Sequence, residues 1–111
     1  MSLAEPGTFN KVSPVKGASG QLMNTTLSWE SSSVAASYEY CVDTTNDTIY
    51  FAGWVSSGTN ISLDLSELTP GVTYYWQVRA VNGNGTTYAD GSSWWSFTTT
   101  YLIYLYSIYR Q

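Results

Sequence analysis

The stretch LTPGVTYYWQVRAVN, Leu68 to Asn82, constrains the fold of this chain more than any other. Pro70-Gly71 marks a turn, and beyond it Tyr74, Trp76, Val78 and Ala80 alternate with Tyr75, Gln77 and Arg79. A period of two with one apolar face predicts a strand over 74–82, buried on one side. A leucine, a proline-glycine turn and a tyrosine heading the strand match the tyrosine corner, whose phenol hydroxyl bonds back to upstream main chain and pins the crossover between two sheets. Tyr74 takes that place. A strand with one apolar face needs a second layer to cover it.

The rest of the chain supplies that layer in short pieces. Thr8–Val15, with Phe9 and Val12 and closed by Pro14, reads as an edge strand, because proline cannot donate to a ladder. Lys16–Asn24 is rich in Gly, Ser and Asn and reads as a loop. Leu27 and Trp29 share a face of Thr25–Trp29; after the small-residue loop Ser31–Ala36, Tyr38, Tyr40 and Val42 alternate with Glu39, Cys41 and Asp43. Thr44–Thr48 is a polar turn, and Tyr50–Val55, with Phe51 and Trp54, is a short strand. Ile61, Leu63 and Leu65 alternate with Ser62, Asp64 and Ser66. Asn82–Gly91 permits the positive backbone angles of a hairpin, and Trp94–Thr99 closes the series with Trp95 and Phe97 on one face.

Seven strands of period two at roughly ten-residue spacing are what a two-sheet sandwich requires. Trp29, SYEYCVD, LTPGVTYYWQVRAVN and the closing WWSFTT together resemble the fibronectin type III family, over about residues 8 to 99. The resemblance implies an all-β, seven-stranded immunoglobulin-like sandwich with sheets A-B-E and C-C'-F-G. It implies a noncatalytic spacer or protein-interaction module of a larger extracellular or cell-surface protein, with neighbouring domains of that protein as partners. Phrases similar to YYWQVRAVN and WWSFTT occur in secreted or surface-anchored bacterial proteins, in tandem arrays or beside hydrolase domains. The alternative is a carbohydrate-binding accessory domain of a secreted glycoside hydrolase, with polysaccharide as partner. The 82–91 hairpin lacks Arg-Gly-Asp, so it has no residues to carry integrin binding.

Composition narrows the chemistry. At 111 residues the chain is one domain, read as linking or added residues 1–7, the module 8–100 and an apolar tail or extra strand 101–111. Met1–Leu3 reads as a start added to an excised module, and the amino end lacks the basic and apolar regions of a signal peptide. The net charge is −4, and Lys11, Lys16, Arg79 and Arg110 make no basic patch, which argues against nucleic acid. Without histidine the commonest acid/base residue and metal ligand are both missing. Cys41 is alone, so no internal disulfide or multi-cysteine metal frame forms; its parity with Glu39 and Asp43 points it outward as an incidental thiol.

Glu30, Glu39, Glu67, Asp43, Asp47, Asp64 and Asp90 fall on outward positions or turns and read as solvated surface, not as a paired-carboxylate cleft. Gly83–Thr86 lacks the lysine and the strand-to-helix setting of a phosphate loop. Asp43, Asn46 and Asp47 lack the spacing of a dedicated calcium site. The sequons at Asn24, Asn46, Asn60 and Asn84 are expected by chance in so Asn- and Thr-rich a chain. No catalytic, cofactor or metal residue is assigned.

The functional signal that remains is aromatic. With Trp76 and Trp95 inward, Tyr75 and Trp94 face outward on neighbouring strands, and with Trp54 and Arg79 they form the candidate contact face. Such rings stack on sugars, meet a neighbouring domain, or cover one another; mutual covering is the favoured reading. The tail YLIYLYSIYRQ spans half of what a bilayer crossing needs, so no membrane insertion is expected. High β-propensity and little charge leave three arrangements open: a strand added to its own sheet, pairing with a second copy as a homodimer through residues 101–111, or a piece of the next module.

Overall fold

The computed structural model describes residues 4–44 and 53–101. One antiparallel sheet holds β1 (Lys11–Ser13), β3 (Thr26–Trp29) and β6 (Ser62–Asp64), with β3 in the middle. The other runs in the order β2 (Ala18–Gln21), β9 (Trp95–Thr99), β7 (Thr73–Asn82), β4 (Ser37–Asp43) and β5 (Val55–Gly58), and β8 (Gly85–Tyr88) also pairs with β7. The fold is therefore all-β with two sheets. The long central β7 is the strand predicted from its alternation.

Alternate residues of the two sheets meet between them. Leu27 and Trp29 from one sheet and Tyr38, Trp76, Val78, Ala80 and Phe97 from the other are buried, and Phe9 and Ala89 close the ends of this core. Each of the large apolar side chains among them, Leu27, Val78 and Phe97 for example, contributes about 1.5–3 kcal/mol by leaving water. Tyr74 stacks on Phe97 with centroids 5.6 Å apart. Its hydroxyl accepts a hydrogen bond from the Thr69 N–H at 2.8 Å, which is the corner expected from the sequence. Gly71, at φ 69°, supplies the positive angle of the turn, and a Cβ there would lie 2.1 Å from the Tyr101 ring. Tyr74→Phe should lower the unfolding free energy by about 0.5–1.5 kcal/mol, measured by urea denaturation, because one exposed hydrogen bond is lost while the stacked ring stays.

Several boundaries differ from expectation. The predicted loop 16–24 contains β2, which pairs in parallel with β9 at Ala18↔Phe97 and Gln21↔Thr99. Pro14 ends pairing with the first sheet, and the open edge of β9 then takes up the backbone of a segment whose small side chains carry no period. In β1 the inward residue is Lys11, while Val12 is exposed. The last hairpin is tight: Asn82 pairs with Gly85 around Gly83 and Asn84, so the strand predicted from Trp94 already begins at β8. It is then broken by a turn, Ala89–Ser92, where Asp90, Gly91 and Ser92 take left-handed angles in succession. The strand predicted over 50–55 is displaced: β5 runs from Val55 to Gly58, and Gly53 and Trp54 precede it without strand pairing. Residues 45–52, with the Asn46 and Asp47 readings, and the tail from 102 onward lie outside the described residues.

Candidate functional site

Arg79 organises the outer face of the larger sheet. Its cross-strand partners are Glu39 on β4 and Tyr88 on β8. The guanidinium Nε and Nη2 both reach Glu39 Oε1 at 2.6 Å, and Nη1 donates to the Tyr88 hydroxyl at 3.2 Å. The Trp54 ring lies 4.1 Å from the guanidinium carbon, a close cation-π contact. Burial acts to lower the Arg79 pKa, but the bonds to Tyr88 and Glu39 outweigh it and hold the group charged. Trp54 in turn meets Tyr88 edge-on at 5.8 Å and Trp94 at 6.2 Å.

Register shows what the two tryptophans cover. Tyr40 pairs with Val55 and Trp76 with Trp95, so Trp54 and Trp94 each lie one residue beyond the last pair, on either side of Cys41 and Gln77, which face each other. Four adjacent strands span roughly 14 Å at their usual separation. The indole centroids are 6.2 Å apart, so both rings lean inward over the row between them. This roof explains why Cys41 is 1% and Gln77 0% exposed although both point away from the core. The expectation of an outward, accessible Cys41 is therefore corrected: the thiol is outward in parity but covered. Burial, and secondarily Asp43, pushes its pKa up, which disfavours the reactive thiolate.

Gln77 sits where the ladder is interrupted. β8 pairs with Arg79–Asn82 and β9 with Thr73–Trp76, leaving 77 and 78 opposite the Ala89–Ser92 turn. Its side-chain amide substitutes for the missing strand: Oε1 accepts from the Val78 N–H at 2.8 Å, and Nε2 donates to the Ala89 and Ser93 carbonyls.

On the inner side, the same turn anchors Lys11. Asp90 Oδ2 accepts from the Lys11 Nζ at 2.8 Å and from its backbone N–H at 3.0 Å, and Nζ also donates to the Ser93 carbonyl at 2.7 Å. The ammonium lies 5.1 Å from the Trp95 centroid and 5.8 Å from that of Trp76. Burial lowers the Lys11 pKa against the opposing pull of Asp90. Asp90, expected as solvated surface, is instead an ion-pair partner with a side chain 13% exposed. The turn folds inward because its left-handed angles suit Asp and Gly and carry the carboxylate back to β1.

Of the predicted contact residues, the structure joins Trp54, Arg79 and Trp94 and adds Tyr88 and Glu39. Tyr75 shares their face but lies one row beyond Gln77, opposite Asp43 and Ser96. Reading NGNG as a two-residue turn would have placed Tyr88 across from Arg79; no local signal links Lys11 to Asp90. The other acids are dispersed: Asp64 accepts from the Thr26 hydroxyl and Glu30 from the Asn10 N–H. Among the described residues no three His, Cys, Asp or Glu side chains cluster as metal ligands. An open depression of about 380 Å³, lined by Ser13, Gln21, Leu22, Asn24, Thr25 and Thr26, carries no titratable side chain.

No family model matches the sequence, and no curated protein does. Solved structures do. A domain of the human fibronectin type III domain containing protein 3 superposes with a TM-score of 0.59 at 18% identity, covering 90% of this chain and 91% of that one. A Fn3-like protein from Clostridium thermocellum gives 0.59 at 18% identity, over 85% and 90% of the two chains. The protein FN3tt gives 0.55 at 22% identity, over 86% and 92%. The chain has the fibronectin type III fold.

In this fibronectin type III sandwich the aromatic roof and the buried lysine are read from this chain's own residues. The roof makes a testable demand on Cys41. In the folded chain the thiol should react with an aromatic disulfide reagent at under about a hundredth of the unfolded-chain rate, and Trp54→Ala should raise that rate at least about tenfold. Equal rates in the two folded proteins would show that the indoles are not the cover.

Proposed function

We propose that the chain is a noncatalytic fibronectin type III module that serves as a spacer or protein-interaction domain within a larger extracellular or cell-surface protein. The observation that carries this reading is that the outer-face groups with chemical potential engage one another. Arg79 is saturated by Glu39, Tyr88 and Trp54, and the Cys41 thiol is buried. A general acid or nucleophile needs an accessible group with a positioned partner, and these groups are positioned for packing instead. The module's partners are then neighbouring domains of its parent protein.

The second reading, a polysaccharide-binding accessory domain, draws on the half-buried Trp94 and Trp54 and on Tyr88, which is 37% exposed. Titration of the full chain with soluble β-glucans, xylan and chitin oligosaccharides, followed by tryptophan fluorescence, separates the two. The spacer reading expects no saturable change with any of them. A saturable change abolished by Trp94→Ala would transfer the function to the sugar-binding reading.

A further inference from the structure

The segment that leads into the sandwich is bonded at nearly every step. The Ala4 carbonyl accepts from Asn82 Nδ2 at 3.0 Å and from Asn84 Nδ2 at 3.4 Å. The Pro6 carbonyl accepts from the Thr87 hydroxyl at 2.5 Å. Gly7 donates its N–H to the Ser33 carbonyl at 3.0 Å, and its own carbonyl accepts from Ser32 Oγ at 2.6 Å. Pro6 is buried, and the Glu5 side chain lies over Gly85, where a Cβ would come within 2.7 Å of it.

These partners come from two places that are remote in sequence: the loop between β3 and β4, and the hairpin between β7 and β8. Asn82 binds them together, because Nδ2 also donates to the Val34 carbonyl at 2.9 Å. Val34 is held at φ 52°, an outlier for a β-branched residue, and its side chain is 62% exposed beside the bonded strap. An ordinary linker leaves its carbonyls to water and keeps its freedom. Ordering each residue costs conformational entropy; here Pro6 begins with less freedom to lose, and its burial with the bonds to both loops offsets the rest.

We infer that residues 4–7 are a rigid splint, bonded to the sandwich so that the chain enters the module at Ala4 in one set direction, alongside the exposed Val34. The segment is thus part of the module and no hinge. This deepens the spacer reading and rests on it for its use, since a spacer of fixed angle transmits orientation as well as distance. Its own test does not involve ligands, so it fails or stands separately from that reading.

The test is 15N relaxation on the full chain. Backbone order parameters of Ala4, Glu5 and Gly7 should match those of β7, about 0.85, and Asn82→Ala should drop Ala4 and Glu5 below about 0.6 while β7 is unchanged. Values below about 0.6 in the unaltered chain would overturn the splint. Unchanged values in the Asn82→Ala and Thr87→Val double variant would overturn its assignment to these bonds. If the spacer reading alone is wrong, the order parameters stay high and the glycan titration responds.

Discussion

Replacing Asp90 with asparagine should destabilise the chain by about 3–5 kcal/mol, the cost of leaving one member of a buried ion pair without its partner. The size follows from the surroundings of Lys11. Its side chain has no exposed surface, and among the described residues its partners apart from Asp90 are the Ser93 carbonyl and the faces of Trp76 and Trp95. Asparagine tolerates the left-handed angle of residue 90, so the backbone adds little to the effect. Lys11→Met should cost less, about 1–3 kcal/mol, because a linear apolar side chain of similar length fills the same space and the Asp90 carboxylate left behind is 13% exposed and keeps its bond to the residue 11 N–H. Urea unfolding followed by tryptophan fluorescence measures both. If the methionine variant is the less stable of the two, the ion pair is not what Asp90 contributes.

Trp76→Ala should remove a further about 3–5 kcal/mol, a large share of the roughly 5–15 kcal/mol that holds a domain folded. Trp76 is fully buried at the centre of β7, meets Trp95 edge-on at 6.2 Å and lies beside the Lys11 ammonium. Its loss opens a cavity and strips a cation of one aromatic neighbour. Trp76→Phe should cost under about 1.5 kcal/mol. Phenylalanine fills most of the volume and removes an indole N–H that has no hydrogen-bond partner among the described residues. Thermal and urea unfolding of the two variants check the ranking; similar losses would mean that volume is not the main term. Trp94→Ala, outside the core, should change stability less than Trp76→Ala while exposing the Cys41 thiol.

The two predictions differ in how far a reader of the sequence alone could have gone. Trp76 is legible as a core residue, because alternation along one strand assigns a face and the face assigns burial. Nothing local marks Lys11 and Asp90, which are 79 residues apart. A lysine next to a valine at an edge strand looks solvated, and an aspartate before a glycine looks like a turn. For Cys41 the alternation gives the face but not the exposure, which is 1%. Parity reports direction, whereas cover depends on Trp54 and Trp94 arriving from two other strands. That Trp54, Arg79 and Trp94 share one face is legible from parity, whereas the place of Tyr88 beside them depends on the hairpin register.

What this sequence decides by itself is whatever depends on neighbours along the chain: the period of each strand, the side it buries, the turn at Pro70-Gly71 and the tyrosine that follows it. Those signals are local because backbone geometry repeats every two residues. The tertiary structure alone decides which outward groups are wet. It brings two indoles over a thiol, a carboxylate to a buried ammonium, and residues 4–7 onto a distant loop and hairpin. Each of these depends on desolvation by residues far away in sequence, a quantity with no counterpart in any short window of the chain.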